Sequence, residues 1–436
     1  MKNILYLFSV LPILAFSQHS IQGTFSPAGN FSYAMLYKAT PTSLDYVERS
    51  KIAPDGSFKI ELPVETPAGV YKLVYGLPQE DYNFDLIYNA KEDVVLSFSE
   101  EEGLVFKTSN ENMLWMSYTK SMELVNMAIS NFYTQESADE KAFKDIFKTL
   151  SDTQNGFEDA AKDMMVLEFV KANRPYIPEQ MEGVQTYSNN LKNTFLKHVD
   201  FKNPLLQSSD FLTDRVLAYV FGMNASFDPE VYRSQIEQLL TTIGKNNDAI
   251  KMSLLETIWQ QFISFENYEM ANYVSESYLI KLAKNQNNEK LLHTLAVFKN
   301  AGIGMKAKDF GFNDEKNTTL HHLNTSDHYV LIFWSSMCPH CLQELPKVQK
   351  LMQGYDTKQV KVIAYGIEDD ATNWKKVTTN YPEFYHVIGL GKWDNPLVQD
   401  YGILSTPSYF VLDKDKKIIA KPDDADGLEE FLKSLK

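Results

Sequence analysis

The chain has 436 residues, of which 44% are hydrophobic and 23% charged, and its formal net charge is −15 at pH 7. This length predicts two or three domains, and the composition is that of a globular protein with enough apolar residues to build a core. Because nucleic-acid binding requires a basic surface, the acidic balance argues against a DNA- or RNA-binding protein.

The first residues have the pattern of a secretory signal. A lysine precedes an apolar run over residues 4–14, and Ala15 and Ser17 supply small residues for cleavage before Gln18. The run is too short to span a bilayer comfortably, and an uncleaved anchor is the alternative. No cysteine follows the run, which argues against a lipoprotein anchor. We therefore expect residues 1–17 to be a signal peptide and the mature chain to be periplasmic.

Residues 18–107 are predicted to form a small antiparallel β-sandwich. Short apolar segments are separated there by turn signals such as Pro54-Asp55-Gly56. This spacing is typical of two packed antiparallel sheets. The predicted strands are 20–24, 32–37, 46–52, 57–62, 69–75, 84–88 and 93–97. No catalytic pattern of residues is found in this region.

Residues 108–299 are predicted to form an all-α region. Apolar residues recur every three or four positions from Leu114 to Phe132, which indicates an amphipathic helix. Asp228, Pro229 and Gly244 supply a cap, a first-turn proline and an end for a later helix. The further predicted helices are 138–152, 156–172, 186–199, 210–222, 229–243, 246–264, 267–284 and 287–299. We interpret the many aromatic residues here as core rather than as a binding groove.

Residues 300–436 alternate predicted strands and helices, which indicates an α/β domain. Residues 329–334 are apolar and β-branched or aromatic, as a buried strand should be. After Cys338 the apolar spacing becomes helical, and Pro339 suits the first helical position. The other predicted strands are 360–367, 408–413 and 417–420, and the other predicted helices lie near 371–380, 395–401 and 427–435.

Cys338 and Cys341 are the only cysteines of the chain, and we interpret them as a redox pair. A secreted chain that used disulfides as staples would have more of them, closing longer loops. Cys338 stands at a helix N-terminus, where free N–H groups and the helix dipole favour the thiolate. Cys338 is therefore the predicted nucleophile and Cys341 the resolving thiol. The imidazolium of His340, between them, could stabilise the thiolate and make the couple more oxidising.

One further pattern joins the cysteines to their surroundings: Phe333, Trp334, Cys338, Cys341, Glu344 and Pro346, followed later by Ser405-Thr406-Pro407 and the strand 408–413. In this pattern the region resembles the thioredoxin superfamily, in particular its TlpA/ResA-like thiol–disulfide oxidoreductases. The resemblance covers roughly residues 300–436, under a third of the chain. Its lead-in departs from the family at Lys308, where the family usually has proline. Residues 18–107 resemble a β-rich domain of unknown function that often precedes such domains in exported bacterial proteins.

The resemblance also implies roles for individual residues. Pro407 would be cis and face the cysteine pair, and the backbone of Thr406 would pair with an extended substrate. Glu344 would accept the proton of Cys341, with a solvated helix glutamate as the alternative reading. Trp334 would pack beside the active site. The predicted substrate-binding residues are Trp334, Pro339, His340, Thr406 and Pro407.

We therefore expect an exported thiol–disulfide oxidoreductase that contributes to redox homeostasis and uses no cofactor. Its expected partners are protein thiols or disulfides and a membrane electron donor or acceptor. Oxidase, reductase and isomerase activities use the same residues, so the direction stays open, and a homodimer through the N-terminal region would favour the isomerase.

Two other readings compete with the enzyme. In the first, residues 18–299 recognise a partner and the thioredoxin-like domain is a redox-sensitive docking module. In the second, the cysteines with His340 or with His321-His322 hold a metal. The absence of a second ligand pair of suitable spacing argues against a metal site.

Overall fold

The computed structural model describes residues 19–41, 43–79, 81–224, 228–312 and 318–435. The predicted signal peptide and its cleavage site lie outside these ranges. The described residues form two compact units, divided between residues 254 and 255. Within the described ranges, no helix combines the length and the apolar character that crossing a membrane requires.

The first unit begins with two four-stranded sheets, ordered β4-β1-β7-β8 and β3-β2-β5-β6. Alternate residues of their strands, such as Ile21, Leu36, Leu73 and Leu96, share one core. The predicted sandwich is therefore present. The strands are β1 (Ser20–Ser26), β2 (Tyr33–Ala39), β3 (Leu44–Lys51), β4 (Ser57–Glu61), β5 (Gly69–Val74), β6 (Asn83–Tyr88), β7 (Val94–Ser99) and β8 (Gly103–Thr108).

Two features of this β-rich domain differ from the prediction. Strand β8 was not predicted, although it alternates around buried Phe106 and pairs with β7. Strand β1 pairs in parallel with β7, so the sandwich is not wholly antiparallel. Because five strands separate β1 from β7, no tight turn forces them to run in opposite directions.

Helices follow the sheets in the first unit. Asp228 caps one of them through a hydrogen bond from the Glu230 N–H, and the helix ends at Gly244, as predicted. The predicted break between 152 and 156 is wrong, because buried Phe147, Leu150 and Gln154 continue the helical spacing. The helices are α1 (Asn110–Thr134), α2 (Glu140–Ala160), α3 (Leu167–Ala172), α4 (Val184–Thr194), α5 (Pro204–Gln207), α6 (Phe211–Leu217), α7 (Pro229–Ile243) and α8 (Asp248–Ser264), which crosses into the second unit.

The second unit contains an α/β domain around a five-stranded sheet ordered β11-β10-β9-β12-β13. Strands β9, β10 and β11 are parallel, and β12 runs antiparallel to both β9 and β13. The central strand β9 is buried on both faces, with Leu331 on one and Ile332 on the other. The strands are β9 (His328–Trp334), β10 (Val360–Glu368), β11 (Tyr385–Leu390), β12 (Ser408–Asp413) and β13 (Ile418–Ala420). Strand β11 was not predicted.

Helices flank this sheet and also precede it. The last helix before the sheet is tied to the α/β domain, since Asn300 donates to Asp400 and accepts from the Lys308 N–H. Ala301 belongs to the core of one sheet face. The predicted boundary between a domain 108–299 and a domain 300–436 stays a prediction. The structure groups residues 255–301 with the α/β domain. The helices are α9 (Tyr268–Val274), α10 (Ile280–Asn285), α11 (Glu289–Ala301), α12 (Pro339–Met352), α13 (Thr372–Thr378), α14 (Pro396–Asp400) and α15 (Ala425–Ser434).

Candidate active site

The two cysteines lie where β9 gives way to α12. Strand β9 ends at Trp334, and Cys338 is the N-cap of α12, with extended backbone angles. Its Sγ accepts a hydrogen bond of 3.1 Å from the Cys341 N–H. Pro339 occupies the first helical position, where a missing N–H leaves no bond unmade. The helix N-terminus thus points a backbone donor directly at the first sulfur.

Cys338 is the more exposed thiol of the pair. Burial favours its neutral form, but hydrogen bonds from the side chains of Cys341 and Thr406 and from the backbone N–H groups of Cys341 and His340 outweigh that effect and lower the pKa of Cys338. The side chain is partly exposed. A partly exposed thiol with a lowered pKa is the state that attacks a disulfide.

Cys341 has the opposite environment. It is fully buried in the core between the sheet and α12, beside Trp334 and Leu345. Burial, followed by its hydrogen bond with Cys338, raises the pKa of Cys341 to about 12. This thiol stays protonated at neutral pH, so its use as a nucleophile requires a group that takes its proton.

The loop before β12 faces the cysteines. The Thr406–Pro407 peptide bond is cis, as the resemblance implied. The thiol of Cys338 lies 3.5 Å from the Thr406 carbonyl oxygen and donates to it. Ser408, the first residue of β12, pairs with Phe333 of β9, which fixes the loop next to the start of α12. A loop 65 residues or more along the chain therefore completes the site.

Glu344 lies one helical turn beyond Cys341 and is buried rather than solvated. Its Oε2 accepts a 2.8 Å hydrogen bond from the Ala425 N–H at the start of α15, and its Oε1 contacts the Lys347 ammonium at 2.7 Å. Burial alone would raise the pKa of Glu344, but Lys347 and Ala425 together lower it. A buried carboxylate that stays charged beside a buried thiol can accept a proton.

Comparison with known proteins agrees with this geometry. The Redoxin family model matches residues 303–430. A thiol-disulfide oxidoreductase ResA from Bacillus thuringiensis is 27% identical over 138 residues, which cover 30% of this chain and 78% of the relative. The C-terminal domain is a ResA-like member of the thioredoxin superfamily. The β-rich domain lies outside the matched residues.

Solved structures resemble the chain in the same way. A thiol-disulfide oxidoreductase from Bacteroides fragilis is 21% identical, covering 30% of this chain and 99% of that one, with a TM-score of 0.28. A thioredoxin-like protein from Bacteroides caccae is 15% identical, covering 60% of this chain and 98% of that one, with a TM-score of 0.31.

Tyr409 is a further residue of the ResA-like domain's site that the sequence analysis missed. Its hydroxyl donates to Oε2 of Glu344 at 3.4 Å, and its ring packs in the same core as Cys341. Burial, then the nearby charges of Glu344 and of the Cys341 thiolate, raise the pKa of Tyr409, so the hydroxyl keeps its proton. Tyr409 therefore contacts the carboxylate directly and shares a core with the buried thiol. The sequence feature that could have indicated Tyr409 is its position two residues after Pro407.

Glu368 was also missed. This buried carboxylate ends β10 and accepts from the Ser336 N–H and the Ser335 hydroxyl, in the loop just before Cys338. Asn373 reaches the same loop by donating to the Ser336 carbonyl. These contacts fix the loop that leads to Cys338, and they come from residues about 30 positions further along the chain.

The remaining predicted residues occupy distinct places. Trp334 is fully buried in the core that contains Cys341, so it supports the site and cannot touch a substrate directly. Pro339 and His340 are exposed at the helix start. The hydrogen bond by which His340 lowers the pKa of Cys338 comes from its backbone rather than from its imidazole.

The metal alternative receives no support from the histidines. His321 bonds the Ala307 carbonyl through Nε2, and His322 contacts the Thr319 hydroxyl. In the part of the chain that the structure describes, no group of three or more His, Cys, Asp or Glu residues could hold a metal ion.

Proposed function

We propose that the protein is an exported thiol–disulfide oxidoreductase that exchanges disulfides with protein substrates through Cys338-Pro339-His340-Cys341. The observation that carries the proposal is the asymmetry of the two thiols. The partly exposed Cys338 has a lowered pKa and receives an N–H at 3.1 Å. The buried Cys341 has a pKa of about 12. A pair poised in this way performs attack and resolution in a fixed order.

In the reductive direction the Cys338 thiolate attacks one sulfur of a substrate disulfide. That S–S bond breaks, the first substrate sulfur leaves as a thiolate that takes up a proton, and a mixed disulfide to Cys338 forms. Cys341 then loses its proton and attacks Cys338 Sγ. The second substrate sulfur leaves as a thiol, and the enzyme pair is oxidised by two electrons. The oxidative direction is the reverse of these steps.

The resolving step depends on removal of the Cys341 proton. Glu344 is the acceptor, and the Tyr409 hydroxyl, which bonds Glu344, would relay the proton. As Cys341 gives its proton to the Tyr409 oxygen, Tyr409 passes its own proton to Glu344. The Ala425 N–H and Lys347 keep Glu344 ionised, and therefore ready to accept.

The substrate approaches from the exposed side of the site. Thr406 offers its backbone beside Cys338, and Pro407 shapes that loop. Pro339 and His340 are the exposed residues that a bound segment would touch. An extended polypeptide pairing with Thr406 would bring its disulfide in line with Cys338.

Export to the periplasm, with cleavage before Gln18, is part of the proposal and rests on the N-terminal sequence pattern and on the relatedness to ResA. A membrane electron donor or acceptor would return the pair to its working state. The domains 18–107 and 108–299 would then recognise substrate or, as a homodimer interface, hold two sites apart.

The test is turnover with a protein disulfide such as insulin and dithiothreitol as reductant. Wild-type protein should reduce the substrate catalytically, Cys338→Ser should be inactive, and Cys341→Ser should accumulate the mixed disulfide. Circular dichroism checks that both variants are folded. If Cys338→Ser kept full activity, Cys338 would not be the nucleophile. If wild-type protein showed no turnover and Cys338→Ser held a partner as tightly as wild type, the docking-module reading would replace the enzyme.

A further inference from the structure

Arginine is scarce in this chain, and two arginines meet in one place. Only four of the 42 Lys and Arg residues are arginines. Arg174 and Arg215 both lie on the wall of a cavity of about 540 Å³ in the first unit, between α1, α4 and the end of α3. Cavities of this size commonly hold small organic ligands.

Arg215 carries a positive charge that no carboxylate balances. Its Nη1 donates to the Asn173 side-chain oxygen at 2.5 Å and its Nη2 to the Phe195 carbonyl at 2.7 Å, and both acceptors are neutral. Its Nε is buried without a hydrogen-bond partner. Burial lowers the pKa of Arg215 only to about 10, so the guanidinium remains charged at neutral pH. A partly buried charge with no counter-ion still carries a desolvation cost, and a bound anion would relieve that cost.

Arg174 is different, because Glu158 already neutralises it. The two form a two-bond ion pair, with Nε to Oε1 at 3.0 Å and Nη2 to Oε2 at 2.5 Å. Arg215 takes part in no ion pair within the described ranges of the first unit. The cavity therefore has one uncompensated cation.

The rest of the cavity wall suits an anion with an apolar body. None of its described lining residues is an aspartate or glutamate, in a chain of net charge −15. The charge of Glu182, which accepts hydrogen bonds from Tyr176 and Asn190, does reach Tyr133 and Tyr187. The rings of Tyr133 and Tyr187 stack on the wall with centroids 5.2 Å apart, and Met122 and Ile129 are buried beside them. The rim is exposed and carries the hydroxyls of Ser130, Thr134 and Ser188.

The cavity on the other side of Arg215 is unsuited to an anion. Asn173, Phe195 and Arg215 also line this second cavity, of about 560 Å³. Its wall includes Asp85, Asp210 and Asp214, with Lys72 paired to the first two. Burial, followed by the other two carboxylates, raises the pKa of Asp214, as expected where negative charge accumulates. An anionic ligand is therefore directed to the first cavity.

We propose that the cavity between α1 and α4 binds a small organic carboxylate, with its carboxylate on Arg215 and its apolar or aromatic body against Tyr133 and Tyr187. The planar guanidinium matches a carboxylate in shape, and one uncompensated positive charge matches one negative charge better than it matches a phosphate dianion. This binding site is separate from the redox chemistry and does not depend on the function proposed above.

The test compares a matched pair of probes, 3-phenylpropionate and its uncharged amide, 3-phenylpropanamide. Their affinities for the full chain are measured by saturation-transfer difference NMR, which detects weak binders. The acid should bind at least about tenfold more tightly than the amide. Arg215→Met, which keeps the length but not the charge, should remove that preference. Arg49→Met, on strand β3, is the matched control and should leave the preference unchanged.

Ser188→Trp provides a second variant, since it alters an exposed rim residue and keeps Arg215 in place. It should block the entrance and abolish binding of the acid while the thermal unfolding midpoint stays at the wild-type value. The proposal is overturned if wild type binds the acid no more tightly than the amide, if no binding is seen, or if both Arg215→Met and Ser188→Trp retain the preference.

Discussion

The Tyr409 hydroxyl donates a hydrogen bond of 3.4 Å to Oε2 of Glu344, which joins strand β12 to helix α12 behind the reactive cysteines. Both residues are buried, and the Tyr409 ring packs in the same core as Cys341. This arrangement supports the proposed transfer of the Cys341 proton to Glu344.

Tyr409→Phe should slow resolution of the mixed disulfide. The ring would still fill its place in the core, but the hydroxyl that bonds Glu344 and is proposed to relay the proton would be lost. We expect the resolution rate to fall about tenfold, with the first attack by Cys338 unchanged. Stopped-flow mixing of the enzyme with a substrate disulfide separates the two steps. Equal resolution rates in the variant and wild type would show that the hydroxyl plays no part.

The two thiols should differ in alkylation by iodoacetamide. Because the pKa of Cys338 is lowered and that of Cys341 is about 12, iodoacetamide should alkylate the Cys338 thiol of the reduced protein first. The midpoint of the Cys338 rate against pH should lie below about 8.5, the ordinary value for cysteine. Cys341 should stay unmodified up to about pH 10 in folded protein. Peptide mass spectrometry after timed quenching gives both rates, and modification of both thiols at one rate would contradict the assignment.

Glu344 should make stability depend on pH in the acid range. Its folded-state pKa is lowered, despite burial, by Lys347 and the Ala425 N–H. A carboxyl group whose pKa is lowered by folding stabilises the fold at pH values above its unfolded-state pKa of about 4.3. That stabilisation is lost as the pH falls through the folded-state pKa. The difference in unfolding free energy between wild type and Glu344→Gln should therefore shrink on acidification. Urea melts from pH 3 to 7 measure it, and a difference that grew toward low pH would refute the charged state.

How far the sequence predicts this site depends on distance along the chain. Cys338 and Cys341 were placed correctly because the strand, the proline and the helical spacing around them are local. Glu344 was found through the resemblance, but only the structure shows that Ala425 holds it, 81 residues away. Tyr409 and Glu368 were missed because each acts on residues from another element, and no spacing rule links them to the cysteines.

The fold shows the same limit. The strand β9 has an unbroken apolar run and was predicted almost to the residue. Strand β11 follows Pro382 and contains His386 and Gly389, so its pattern reads as a loop, although pairing with β10 makes it a strand. The parallel pairing of β1 with β7 likewise depends on tertiary contacts, which local sequence patterns do not determine.

Glu368→Ala should loosen the loop before Cys338. The buried Ser336 N–H would lose its acceptor, which costs about 1–3 kcal/mol of unfolding free energy. Glu368→Gln keeps an acceptor oxygen and should cost less. Denaturant melts measure both variants. Equal stability of the alanine variant and wild type would show that Glu368 does not hold the loop.

The measurement that tests the central claim most directly is the reduction potential of the Cys338/Cys341 pair, obtained by equilibration in glutathione and dithiothreitol buffers. We expect a reversible two-electron couple between about −270 mV and about −120 mV, the range from thioredoxin to strongly oxidising enzymes. A value at the thioredoxin end would favour a reductase and leave His340 without a role, whereas a value near the other end would favour a donor of disulfides. The absence of any reversible two-electron couple would contradict the proposed enzyme.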